Sequence, residues 1–205
     1  MSPRAGTSVY AFTDRAVNAL RRAMLRRFEA LRGVLPMDEL NILSRVRTLY
    51  RELDEEARGV FLRIARREYP EADGNWIQER LTAYDPVTGY SYVHETERKA
   101  ARLGEALAAA VSAGVATSKA VDEALRLWSN MVTQYAIEIT DEARRAAMEE
   151  DGVTDVEWVS REDGRRCKIC KDRHGKIYPI RKVPPKPHIG CRCYLIPARK
   201  EDGSA

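Results

Sequence analysis

The stretch from Trp158 to Pro197 reads W-V-S-R-E-D-G-R-R-C-K-I-C-K-D-R-H-G-K-I-Y-P-I-R-K-V-P-P-K-P-H-I-G-C-R-C-Y-L-I-P. It holds all four cysteines of the chain, Cys167, Cys170, Cys191 and Cys193, and two of the three histidines, His174 and His188. Cys167 and Cys170 are spaced C-x2-C, so two thiolates on a tight turn can chelate one ion while the turn's amides donate to sulfur. The second half is H-x2-C-x-C: His188, Cys191 and Cys193. Seventeen residues separate Cys170 from His188 and twenty separate it from Cys191, gaps that suit a two-knuckle zinc site. Five good donors compete for four tetrahedral positions. Cys191 and Cys193, two apart, face the same side of a strand and permit a four-cysteine site. A site of three cysteines and His188 fits equally. His174 could replace a ligand, but its His-Gly setting suits a hairpin tip. The alternatives to metal are disulfides, for which four cysteines allow three pairings, and reduced thiols. A metal here is expected to be structural, because a segment this short has too little core to fold alone and a closed site leaves no position for a catalytic water.

Composition surrounds this stretch with helix. Hydrophobic residues make up 44% of the 205, charged residues 32% and aromatic residues 7%. The apolar residues are largely Ala, Leu, Val and Ile, which suits amphipathic helices better than one bulky core. No apolar run approaches the ~20 residues that span a membrane. Met1 to Tyr10 lack the apolar core of a signal peptide, so the product is expected to be made and kept in the host cytoplasm, where clustered cysteines bind metal sooner than they cross-link. The net charge of +4 is unevenly placed. Residues 161–205 carry 13 Lys+Arg against 5 Asp+Glu, whereas residues 1–160 are net acidic by 4. Such asymmetry marks contact with nucleic acid or with an acidic protein surface.

Residues 1–11 read as an arm, 12–152 as a helical domain, 153–198 as a Cys/His β module and 199–205 as a tail. Thr13 or Asp14 is the expected cap of a first helix with the stripe Val17, Leu20, Met24, Leu25, Phe28 and Leu31. Its flanking Arg21, Arg22, Arg26 and Arg27 form a solvated face, or one turned to DNA or an acidic partner. Gly33 ends it, and Pro36 opens a second helix with Leu40, Leu43, Val46, Leu49, Tyr50 and Leu53 inside. A third helix is expected over 54–69, stopped by Pro70, and a short one over 75–83. Tyr84 to Tyr92, with its Asp-Pro and Thr-Gly pairs, is the clearest break, a hairpin arm or a loop whose tyrosines pack on helices. His94 reads as a cap or surface group. Two long helices follow, 95–113 and one of about 34 residues from Thr117 or Ser118 with an acidic first turn at Asp122 and Glu123. Beyond Gly152 the pattern turns to strands, near 155–160, 177–180 and 194–196, with the proline-rich 181–188 as an extended loop. The fold class is mainly α: an elongated helical bundle or hairpin with a small C-terminal zinc-stapled β-rich module.

Several elements match one family together. Trp158, Asp163 before Cys167-x-x-Cys170, Gly175-Lys176-Ile177-Tyr178, and Pro187-His188-x-x-Cys191-Arg192-Cys193 before an apolar strand ending at Pro197 resemble the phage Mu F-like head morphogenesis family. Thr140-Asp141-Glu142-Ala143-Arg144 is similar to that family's Thr-Glu-containing helix, although Ile139 stands where an arginine is common. The resemblance covers about 117–197. It implies a minor head protein of a tailed phage, in few copies per virion, bound at the portal or inner capsid. Portal protein, major capsid protein and packaged DNA are the implied partners, and head assembly and DNA passage the implied work. Members fused to toxin domains exist; with eight residues after Pro197, none is expected here.

Two other readings compete. In a metal-dependent nuclease of the His-Cys type, His174 or His188 would activate water; no partner acid or amide is placed by motif. In a zinc-ribbon DNA-binding protein a base-reading helix would lie beside the cysteines, and none is apparent.

Overall fold

The computed structural model describes residues 9–85, 88–160 and 166–199. Most of the N-terminal arm, Asp163 of the family motif and the tail beyond Arg199 therefore lie outside the described residues. The elements run α1 (Ala11–Arg32), α2 (Glu39–Glu68), α3 (Gly74–Thr82), α4 (Tyr92–Ser112), α5 (Ser118–Glu150), β1 (Asp155–Val159), α6 (Lys168–Arg173), β2 (Ile177–Pro179), a 3-10 turn at Ile180–Lys182 and β3 (Tyr194–Pro197). The chain is mainly α with a small C-terminal sheet, the class read from its periodicity.

The bundle is built on α2 and α5, which pack on each other; α1 lies against both on one side and α4 against both on the other. The stripe of α1 is buried as spaced, through Val17, Leu20, Met24, Phe28 and Leu31, but Leu25 is 46% exposed. Aromatic rings lock the centre. Trp128 meets Tyr50 edge-on at 5.1 Å, and Tyr92 meets Tyr135 at 5.0 Å and Phe61 at 5.5 Å. Edge-to-face pairs of this kind add to the burial of the rings themselves.

The differences from expectation lie at helix ends. The second and third expected helices are one helix of 30 residues, because nothing between Leu53 and Asp54 breaks the backbone ladder. Asp38, not Pro36, opens it by accepting from the Asn41 amide at 3.0 Å. That start puts Ile42 inside and leaves Leu40 80% exposed. Neither Thr13 nor Asp14 caps α1: Thr13 is inside the helix and buried, sharing a 2.7 Å hydrogen bond with Thr140 of α5. Ser91 caps α4, so Tyr92 is its first residue and is fully buried. Tyr84 is 71% exposed, and Tyr90 stacks on His94 at 5.0 Å, so of the three loop tyrosines Tyr92 alone enters the core. Asp122 and Glu123 lie beyond the first turn of α5 and pair with Arg32 of α1 and Arg102 of α4.

The three strands form an antiparallel sheet in the order β2-β1-β3. Val156 faces Tyr178 on one side and Pro197 on the other, and Trp158 faces Leu195. Gly152, at φ 76°, turns the chain out of α5 into β1, a conformation that favours glycine. The module's own core is small: buried Trp158, Cys170, Cys191 and Cys193, with Tyr178, Val183 and Leu195 half-buried against them.

Candidate metal centre

The two halves of the cysteine pattern meet behind the sheet. Cys167 is not on a simple turn but is the N-cap of the one-and-a-half-turn helix α6, where its sulfur accepts the Cys170 amide at 3.3 Å. That places both sulfurs at one helix end. The second half arrives from the loop before β3. Cys191 and Cys193 both turn inward, 1% and 5% exposed, although the strand begins only at Tyr194.

The donors gather into two triads that share Cys170: Cys167, Cys170 and His188, and Cys170, Cys191 and Cys193, each within 4.8 Å. Cys170 Sγ lies 3.6 Å from His188 Nε2 and 3.7 Å from Cys191 Sγ. A tetrahedral zinc ion with ordinary bond lengths sets these edges at roughly 3.6 Å for sulfur to nitrogen and roughly 3.8 Å for sulfur to sulfur. No disulfide joins any of the four cysteines.

The surroundings suit an ion. His188 Nδ1 lies 3.0 Å from the Ile189 carbonyl, which can only accept, so the proton is on Nδ1 and the Nε2 lone pair faces the sulfurs. That carbonyl, with the nearby sulfurs, raises the affinity of His188 for a proton. Cys167 is held below the usual thiol value, first by the Cys170 amide. Burial pushes the Cys170 thiol up to about 12, with Cys167 and Cys191 adding to it and Cys193 acting against it. Cys191 is raised further, by Cys193 first and then by burial, while Cys193 is lowered by its bond with Cys191. Sulfurs packed this closely out of water repel one another as thiolates, and a divalent cation is what relieves that repulsion. Soft thiolates with one imidazole favour zinc over hard cations.

His174 is elsewhere. Its Nδ1 accepts the Ser160 amide at 3.2 Å, tying the α6–β2 turn to the end of β1. It belongs to neither triad.

A second set of contacts, which the sequence did not reveal, holds this cluster to the bundle. The Tyr10 hydroxyl lies 2.6 Å from Asp141 Oδ1 on α5 and 3.0 Å from the Cys193 carbonyl. Lys186 donates to the Tyr10 oxygen and to the Cys191 carbonyl, each at 3.0 Å, and pairs with Asp141. Arg192, between the two inward cysteines, turns outward to Asp14 at 2.9 Å. The Gly190 amide donates to Gln134 Oε1 at 2.5 Å. Burial and the adjacent Asp141 carboxylate keep the Tyr10 phenol protonated, as a donor must be. Burial raises Asp141, with Lys186 and Tyr10 acting against it. Tyr10 is 1% exposed, and no local pattern distinguishes it from the arm it was read with.

The family model described as Phage Mu protein F like protein matches residues 102–196. Residues 102–196 are thus similar to the family that the motifs resemble. The matched segment starts within α4, earlier than the motifs alone indicated, and includes all of α5, the Cys/His cluster and most of β3. That family is one of structural phage head proteins, and the likeness to it covers a little under half of the chain. No curated protein and no solved structure gives a significant match. No helix among the described residues is long and apolar enough to cross a membrane.

Proposed function

We propose that the chain is a structural minor head protein of a tailed phage, in which a zinc-stapled module is held rigidly at the end of α5 for docking to the portal or the inner capsid. The observation that carries this reading is the double attachment of one short loop. Residues 186–193 supply donors to the candidate metal cluster and contacts to the bundle, through Lys186 to Asp141, Gly190 to Gln134 and Arg192 to Asp14. A loop fixed from both sides supports a rigid recognition surface.

Four of Cys167, Cys170, His188, Cys191 and Cys193 would hold the ion, with Cys170 common to both triads. Zinc would supply folding energy there rather than a Lewis acid for chemistry. The chain's own part is to position the donors. The α6 N-terminus presents Cys167 and Cys170, the Ile189 carbonyl sets the His188 tautomer, and Trp158 covers the cluster.

The module's exterior is basic and partly apolar. Lys168, Lys171, Lys176, Arg181 and Lys182 are exposed, and so are Ile169, Ile177 and Ile189 at 48%, 59% and 61%. Exposed apolar side chains among cations suit a protein partner with an acidic rim; the same cations suit packaged DNA during assembly or ejection. Several copies per virion follow from attachment to a symmetric portal or shell.

Pull-down with the portal protein encoded beside this gene tests the proposal. Retention by portal, lost when Ile177 and Ile189 are changed together to Asp, is expected; no retention by portal or capsid protein contradicts it. The nuclease reading predicts plasmid cleavage with Mg²⁺ or Mn²⁺ that disappears in His174→Ala. The hydrogen bond from Ser160 to His174 supports a structural use of that ring instead.

A further inference from the structure

A cleft of about 480 Å³ lies between the bundle and the module, bounded by α5, the C-terminal end of α3 and the 183–195 segment. Its walls are largely apolar: Ile139, Trp158, Val183, Pro184 and Leu195. Glu138 of α5 opens into the same space.

The charged groups around the cleft are nearly all committed. The Lys186 ammonium has three N–H groups, and Asp141, the Tyr10 oxygen and the Cys191 carbonyl take one each. Arg145 pairs with Glu142. Arg80 stacks on Trp76 at 3.5 Å and donates to its carbonyl at 3.1 Å. Asp85 receives the Thr88 hydroxyl at 3.1 Å. Glu138 has the neutral side-chain amide of Gln134 as its one hydrogen-bond donor among the described residues, and no ion pair among them. A carboxylate accepts about four hydrogen bonds. Withdrawal from water also pushes the Glu138 carboxyl up to about 7; Asp85 adds to this, and the Gln134 amide and the more distant charge of Lys186 act against it.

An apolar cleft with one carboxylate that has no ion pair among the described residues fits a cation carried on an apolar stem. We propose that this cleft is a docking site for an extended segment of a partner protein that inserts an Arg or Lys side chain against Glu138. A guanidinium would meet the carboxylate through two parallel hydrogen bonds, and the residues flanking it would cover the apolar walls. A free polyamine offers the charge but leaves those walls wet, so a peptide is the better occupant. The inference deepens the docking function above and rests on it for the expectation that a virion protein supplies the segment.

The test is calorimetric titration of the full zinc-loaded chain with acetyl-Leu-Arg-Leu-amide, its isosteric citrulline analogue and spermidine. Binding of the arginine peptide is expected, with the citrulline peptide and spermidine each at least about tenfold weaker. Glu138→Gln should weaken the arginine peptide by about tenfold while raising Tm at pH 8, because it removes a buried charge and keeps the side chain's shape. A site made for a ligand gives up stability in this way, whereas a merely structural Glu138 would lower Tm when replaced. No binding of the arginine peptide, equal binding of the citrulline peptide, preference for spermidine, or a Glu138→Gln protein that binds unchanged or melts lower would each overturn the proposal. Failure of the peptide leaves portal retention through the module's outer surface intact, and failure of portal retention leaves peptide binding intact, so the two proposals fall separately.

Discussion

Cys170 is the residue on which both triads depend, since its sulfur lies within reach of His188 on one side and of Cys191 on the other. Cys170→Ser should therefore abolish zinc binding, as read by the metal content of the purified protein. Among the outer donors, His188→Ala and Cys193→Ser separate the possible ligand sets. The substitution that leaves zinc bound identifies the donor outside the tetrahedron, and His174→Ala should leave zinc bound in every case. Tyr10→Phe removes the hydroxyl that joins Asp141 to the Cys193 carbonyl and strands a buried carboxylate oxygen. A loss of about 1–3 kcal/mol is expected by denaturant titration. Glu138 gives a pH signature. Its folded-state pKa of about 7 stands above its ordinary 4.5, so the folded protein retains a proton that the unfolded chain releases. Stability from that neutral form is complete below the ordinary value and is lost as pH rises through about 7. The Tm of the wild-type chain should fall against that of Glu138→Gln between about pH 5 and pH 8, and the two should converge below that window. At this scale the sequence showed which cysteines and which histidine gather in one cluster, because spacing and residue type alone mark them. It could not show Tyr10, Gln134 or Lys186, whose partners lie up to 183 residues away and leave no local periodicity.

Among the elements, α2 and α5 organise the molecule. The apolar stripes of both were visible because a 3.6-residue period survives any small error in the ends. What was misread in α2 was a break that nothing enforces: without Gly or Pro near Leu53, the helix continues for 30 residues. Caps were the least legible features. Thr13 is a good cap by type, yet burial against Thr140 gives it a place inside α1. Gly59 sits in the middle of α2 with a helical neighbourhood, and a Cβ there would come no closer than 3.7 Å to Arg63. Gly59→Ala should therefore stabilise the fold by roughly 0.5–1 kcal/mol, measured as a rise in the denaturation midpoint at constant slope. The α6 helix was hidden for a different reason. Six residues are too few for a periodic signal, and its start is fixed by the Cys167 sulfur, an uncommon cap.

The whole molecule joins a helical bundle with a large aromatic core to a module whose core is four buried residues, three of them cysteines. Stability should accordingly be uneven. The bundle carries its own hydrophobic energy, while the proposed ion and the contacts with α5 would supply much of the module's. Chelation should leave most helical signal in place and strip amide protection from β1, β2 and β3 first, as read by hydrogen exchange. The most direct test is native mass spectrometry of the full chain beside Cys170→Ser. One zinc ion bound per wild-type chain and none in the variant is the predicted result. A wild-type chain purified with zinc present that carries no metal, or a variant that keeps its zinc, would contradict the account.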